Sequence, residues 1–266
     1  MSVRHADRAR RLSRICLAGV ALLACAPVPR DSLRLLEDPG RAAVATTNGR
    51  NASMLYVARL DSGVLAIDLG WRDADAALRA ALRRVGASER DVVAVLLTHS
   101  HRDHIGAWRA LSRAPFYLAA PEVDRLLGAT EQGGWIPRLA DRVRRTRGPH
   151  AGELRLRPFA GDTAFVLGRD TVRAFVVPGH TAGSAAYLFR GVLFAGDAVS
   201  HTRAGRLRPA KAGFSDDAEL AGRSLTRLLG TVAAYEVRSV CTAHARCARF
   251  DAALRGRLSS PDRRVP

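Results

Sequence analysis

Apolar residues fall into short runs separated by turn-forming residues, and the period of each run predicts its element. Met54 to Ala58 and Val64 to Asp68 flank Asp61-Ser62-Gly63 and predict a β-hairpin. Asp73 to Val85 carries Ala77, Leu78, Ala81, Leu82 and Val85 at helical spacing and stops at Gly86. Val92 to Leu97 is a continuous apolar run of strand length that ends at Thr98-His99-Ser100-His101, so a buried strand delivers histidines at its carboxyl end. A short strand over 116–119 and a short helix over 121–127 with Pro121 at its start follow. Residues 131–152, rich in arginine and broken by Gly133-Gly134, Pro137 and Gly148-Pro149, read as an inserted loop with a helix over 138–145. Strands are predicted near 154–159, 163–167, 171–177, 184–189 and 192–195, then a helix over 217–229, a strand over 236–242 and a final helix near 250–258. No repeat and no second domain is evident.

The amino-terminal segment has a different pattern. Met1 to Arg14 is basic, Ile15 to Ala24 is apolar or small, and Cys25 follows. Ten apolar residues are too few for a helix across a bilayer, which takes about 20, so the segment reads as a secretory signal over 1–24. Leu22-Leu23-Ala24-Cys25 resembles the lipobox of bacterial lipoproteins, which implies a lipid on Cys25 and a membrane as partner; the alternative is plain cleavage near Ala24 or Ala26. The chain then divides into a tether over 25–43, one domain over 44–258 and a tail over 259–266, exported to the cell envelope or periplasm.

The composition is that of a folded domain, with 47% hydrophobic residues in 266, and it excludes disordered and collagen-like chains. The formal charge of +17 would fit a nucleic-acid partner, but the cations are arginines scattered through the chain, with Lys211 alone a lysine, and no nucleic-acid motif accompanies them. Of the four cysteines, Cys16 lies in the signal and Cys25 at its end; Cys241 and Cys247 could close a small disulfide loop in an oxidising compartment or remain two thiols.

His99-Ser100-His101-Arg102-Asp103-His104 sets three imidazoles and a carboxylate in six residues, and three further fragments follow: Pro178-Gly179-His180-Thr181, Phe194-Ala195-Gly196-Asp197 and Thr242-Ala243-His244. Each ends an apolar run with a group able to bind a metal. Imidazole nitrogen and carboxylate oxygen suit zinc, with iron or manganese as alternatives, and seven such groups exceed the three or four that one tetrahedral ion takes. Two ions are implied.

On these motifs the sequence resembles the metallo-β-lactamase superfamily over about residues 44–255. The resemblance implies an α+β fold, a four-layer αββα sandwich. It also implies a first metal held by His99, His101 and His180, a second held by Asp103, His104 and His244, and Asp197 bridging both, with Asp68 supporting the ligand loop. Two adjacent ions lower the pKa of a shared water, so hydroxide is the nucleophile, with Asp103 as the catalytic residue that orients it.

Asp197 separates the chain from the family's true β-lactamases, which have cysteine or serine there, and aligns it with hydroxyacylglutathione hydrolases, lactonases and phosphodiesterases. Lactonases have a tyrosine soon after that aspartate, whereas here the residues are Ala198-Val199-Ser200, with Tyr187 and His201 as distant substitutes. The expected activity is hydrolysis of an ester, thioester or lactone. The alternatives are a phosphodiesterase or β-lactamase-like hydrolase, or a non-catalytic metal-binding envelope lipoprotein that would have no use for Asp103. Arg203, Arg206, Arg208 and Lys211 read either as a cradle for an anionic small-molecule substrate or as a solvated loop, and Arg138 to Arg147 as a lid or an exposed helix. Trp108 and Trp135 are candidate pocket walls, though Trp108 fits better under its helix.

Overall fold

The computed structural model describes residues 42–47, 53–72, 74–131, 134–136, 138–139, 148–201 and 207–250. The targeting segment with Cys25, most of the arginine-rich stretch over 138–147, Arg203, Arg206 and the helix expected beyond Phe250 lie outside them.

Period-two alternation in the strands builds the layers. In β2 (Ser53–Arg59) and β3 (Val64–Ile67), Leu55, Val57, Val64 and Ala66 point to one face and Met54, Tyr56, Leu65 and Ile67 to the other; both faces are buried. The first set packs under α1 (Asp75–Arg84) through Leu78, Ala81 and Leu82. The second meets Tyr187 and Phe189 of β9 (Ala185–Phe189) and Phe194 of β10 (Val192–Gly196) between the sheets. The outer face of β9 and β10, with Ala186, Leu188, Leu193 and Ala195, is covered by Leu225, Leu228 and Val232 of a second long helix, Ala218–Val232. Asp217 starts that helix by accepting a hydrogen bond from the Leu220 amide at 2.8 Å. Three apolar interlayers between four layers give the expected αββα sandwich.

The remaining strands are β1 (Ala42–Thr47), β4 (Val92–Leu96), β5 (Pro115–Ala119), β6 (Arg155–Phe159), β7 (Thr163–Leu167), β8 (Asp170–Val176), β11 (Val199–His201), β12 (Leu207–Pro209), β13 (Ser239–Thr242) and β14 (Ala245–Arg249). One six-stranded sheet runs β1-β2-β3-β4-β5-β6 and the other β14-β13-β10-β9-β8-β7, with β11 and β12 pairing apart. Strands β3 and β4 are parallel, as are β10 and β13, and β8 runs the same way as β10 because both are antiparallel to β9. Every donor-bearing segment therefore leaves a carboxyl end, the edge where ligands collect in sheets of this kind.

Two expectations are corrected and one open alternative is decided. β1 begins at Ala42, two residues inside the segment read as tether, because Ala-Ala-Val has too weak an apolar signal to mark a strand. β13 starts at Ser239 rather than 236, and the chain turns back as β14, whose Ala-Arg-Cys-Ala-Arg sequence lacks the aliphatic run by which the other strands were read. Cys241 and Cys247, left open between disulfide and thiols, are bonded to each other.

Gly196 locks the end of β10 against the end of β4. Its φ is +51°, and a Cβ there would stand 2.3 Å from Thr98 Oγ1. Gly196→Ala should combine left-handed backbone strain with a displaced Thr98, a loss of about 2 kcal/mol, or about 4–8 °C in the melting midpoint of a domain this size. A circular dichroism melt of the metal-free variant reads it; an unmoved midpoint would show that the two strand ends do not press together.

Candidate metal centre

Asp68, directly after β3, adopts φ +50°, an uncommon conformation for a residue other than glycine, and turns its carboxylate onto the end of β4. There it accepts hydrogen bonds from the Thr98 amide and hydroxyl, both at 2.8 Å, and from His104 Nδ1 at 2.9 Å. The last bond places a proton on His104 Nδ1 and turns Nε2, which is buried and has no hydrogen-bond partner, into the site. Thr98 Oγ1, its own proton given to Asp68, stands 3.2 Å from His99 Nδ1 and accepts from it. His99 Nε2 is then a bare lone pair.

His99 Nε2, His101 Nδ1 and His180 Nε2 form a triangle with sides of 2.9, 3.1 and 3.1 Å. A neutral imidazole nitrogen either donates or accepts, so of three in mutual contact at least two are alike and one side cannot be a hydrogen bond. A cation reconciles all three. Nitrogens about 2.0–2.1 Å from a tetrahedral zinc stand about 3.4 Å apart, close to the sides of this triangle.

Asp103 Oδ2 lies 3.2 Å from His244 Nε2 and 3.9 Å from His104 Nε2, which gives a second donor cluster. Asp197 Oδ2 is 3.1 Å from His244 Nε2, 3.8 Å from His104 Nε2 and 3.7 Å from His180 Nε2, within reach of both clusters. The structure brings the seven predicted residues and Asp68 together in one place.

The clusters differ electrostatically. Burial, reinforced by neighbouring imidazoles, holds His99 and His101 well below the usual histidine range, and burial lowers His180. The first cluster is neutral at pH 7. Burial would also lower His104, but Asp68, Asp103 and Asp197 outweigh it and lift that imidazole to about 10. His244 is likewise lifted well above its ordinary value, against burial, by Asp197 and Asp103. In return, and again against burial, His104 and His244 bring Asp103 down to about 2 and hold Asp197 well below the carboxylate range. Without metal the second cluster is two imidazolium ions facing two carboxylates.

Other predicted residues stand elsewhere. Tyr187 is wholly buried between the sheets and donates to the Leu97 carbonyl at 2.7 Å, so it cannot serve as a substitute tyrosine. Trp108 is buried with Arg109 stacked on it, and Trp135 is 66% exposed. Arg208 and Lys211 are exposed, on β12 and just after it. Thr98, Ser100 and Glu122 escaped sequence reasoning, since nothing in a Thr, a Ser or a helix-start Glu marks a residue that supports a metal cluster.

The family model for the Metallo-beta-lactamase superfamily matches residues 48–240, a span that includes every donor except His244. A hydroxyacylglutathione hydrolase from Aeromonas hydrophila is 29% identical over 166 residues, 62% of this chain and 53% of that protein. A probable polyketide biosynthesis zinc-dependent hydrolase from Bacillus velezensis is 25% identical over 158 residues, 56% of this chain and 55% of that one. The chain thus spans about half the length of the curated relatives it matches. Among solved structures, a metallo-beta-lactamase family protein from Thermus thermophilus superposes with a TM-score of 0.59 at 22% identity, covering 82% of this chain and 76% of that one, a likeness of fold.

Because the first cluster holds no protons to displace and the second holds two, zinc should fill the first more tightly near pH 7, and the affinity of the second should rise with pH toward 10. Calorimetric titration in buffers of differing ionisation enthalpy should find the first equivalent nearly proton-neutral and the second releasing one or more. Equal release by both would contradict this charge assignment. Asp103→Ala should lose the second equivalent and keep the first.

Proposed function

The chain belongs to the metallo-beta-lactamase superfamily, and from that premise we propose that it is a dinuclear metal-dependent hydrolase of an ester, thioester or lactone. The observation that carries the reading is the meeting of a neutral imidazole cluster and a charged His/Asp cluster at one carboxylate oxygen, Oδ2 of Asp197. Zinc fits both donor sets, and two such ions supply Lewis acidity together with a water acidified toward neutrality.

The protein's own residues do the rest. Asp103, held ionised between two imidazoles, accepts a hydrogen bond from the attacking water and aims its lone pair. His99, His101, His104 and His180 are buried and close the floor of the site, whereas His244, Asp197 and Asp103 are 33, 18 and 16% exposed and form its open rim. Substrate enters on that side. Lys211 lies five residues before Asp216, whose amide donates to the His180 carbonyl at 3.0 Å, so Lys211 and Arg208 are the cations we assign to an anionic group on the substrate. Thioester cleavage is supported by the hydroxyacylglutathione hydrolases among its relatives.

The same reading has the chain exported and anchored through Cys25. Its support is the basic, apolar and small order of the first 25 residues together with the Cys241–Cys247 bond, a pairing that lasts in oxidising compartments. Wild-type protein should take up labelled palmitate and fractionate with membranes, and Cys25→Ser should do neither; a soluble, unlabelled wild type would sink the anchor.

Zinc-loaded protein should turn over a thioester, a nitrophenyl ester or a lactone with a higher kcat/KM than bis-nitrophenyl phosphate or nitrocefin. Preference for the phosphate diester would overturn this in favour of a phosphodiesterase. Inactivity on all five with metal bound would favour the non-catalytic alternative.

A further inference from the structure

Glu122 lies in the helical turns that follow β5 and is fully buried, and its hydrogen bonds go to Ser100 and Gly183, which are not among the seven donors. Its Oε2 accepts from the Ser100 amide at 2.8 Å and the Ser100 hydroxyl at 2.5 Å, and its Oε1 accepts from the Gly183 amide at 3.0 Å. Ser100 stands between His99 and His101. Gly183 lies three residues beyond His180 in a loop closed on itself, with Val177 donating to the Ser184 carbonyl at 2.6 Å and Gly179 to that of Thr181 at 3.0 Å. One carboxylate therefore spans the two segments that supply all three nitrogens of the first cluster. The fit is close, since a Cβ on residue 183 would come within 2.8 Å of Glu122 Cγ.

The same turn grips the His180 loop a second time. Arg125 Nη2 donates to Asp216 Oδ2 at 2.7 Å, and Asp216 and Asp217 donate their amides to the carbonyls of His180 and Gly179 at 3.0 and 2.9 Å. A buried carboxylate is costly unless its lone pairs are filled. Here three donors fill them, and they sit on two segments that come from opposite sheets.

We infer that Glu122 is the positioning residue of the first metal cluster: by joining Ser100 to Gly183 it fixes the separation of His99 and His101 from His180, and with it the affinity for the first ion. The inference rests on the two-cluster reading of the site.

The test compares the full chain as wild type, Glu122→Gln and Ser100→Ala, each stripped of metal and titrated with zinc(II) and cobalt(II) against a chromophoric chelator. Glutamine keeps the shape but must turn an N–H toward the donors of one segment, so the link opens on that side. Glu122→Gln should weaken the tighter equivalent about 10- to 100-fold, the usual cost of losing a support behind metal ligands, and alter the visible absorption of the one-equivalent cobalt protein. The weaker equivalent should change far less. Parallel loss of both equivalents in step with a lowered melting midpoint would reduce Glu122 to general stability and overturn the inference, as would unchanged affinities and spectrum. If Glu122→Gln does not fold, Ser100→Ala decides by the same readouts, because it deletes one of the three donors and leaves the backbone bonds; it should weaken the tighter equivalent selectively. A wild type that binds no cobalt would instead bring down the two-cluster reading itself.

Discussion

Three imidazole nitrogens within about 3 Å of one another, not all of them able to hydrogen-bond, form an arrangement that the rest of the molecule has to enforce. His99 and His101 follow the end of β4 in one sheet and His180 follows the end of β8 in the other, so the two sides of the triangle that meet at His180 open only by a movement of one segment against the other. The apolar layer between the sheets resists that movement. Tyr187, Phe194, Leu65, Ile67 and Leu96 are fully or almost fully buried there, and a close-packed interior of this kind transmits strain rather than absorbing it. Core packing stabilises the fold and, by the same contacts, keeps three ring nitrogens close enough to share an ion.

The two clusters hold their donors ready by opposite means. At the first, burial strips the imidazoles of protons, and only packing and the hydrogen bonds behind them hold the geometry. At the second, carboxylates and imidazoles attract one another, so that cluster is stable without an ion, and a metal must take the place of protons there. Asp68 belongs to both devices: it sets which His104 nitrogen faces the site, adds to the field that keeps His104 protonated, and through Thr98 orients His99. A single carboxylate after β3 thus prepares donors of both clusters, and its left-handed backbone turns it onto the end of β4.

The seven candidate donors stand out in the sequence because their four fragments end apolar runs and have an unusual composition, while their division into two clusters comes from the family resemblance; apolar periodicity alone predicts most of the strands and both long helices. What escaped had no such mark. β14 is built of alanine and arginine around one cysteine, and β11 and β12 are three residues each. Glu122 follows a proline at the start of a helical turn, where acidic residues are commonplace, and its partners Ser100 and Gly183 are residues that any loop contains. The links between supporting residues run over sequence separations of 22 and 61, which no local pattern encodes. Tyr187 shows the opposite failure: a residue proposed for chemistry because of its type was claimed by the core.

His244 is the least protected of the seven, 33% exposed, at the turn between β13 and β14 with β14 at the edge of its sheet. A donor on an edge hairpin has one neighbouring strand fewer to hold it than the donors that leave interior strands. The chain compensates from both sides of that turn. Tyr56 of β2 donates to the Thr242 carbonyl at 2.9 Å, and the Met54 amide donates to the Ala243 carbonyl at 2.9 Å, which ties the turn to the opposite sheet. The Cys241–Cys247 bond then joins β13 to β14 across it, with Cys241 wholly buried and Cys247 nearly so. The disulfide adds its constraint where the sheet supplies least, and so braces the hairpin that carries the most exposed of the seven donors.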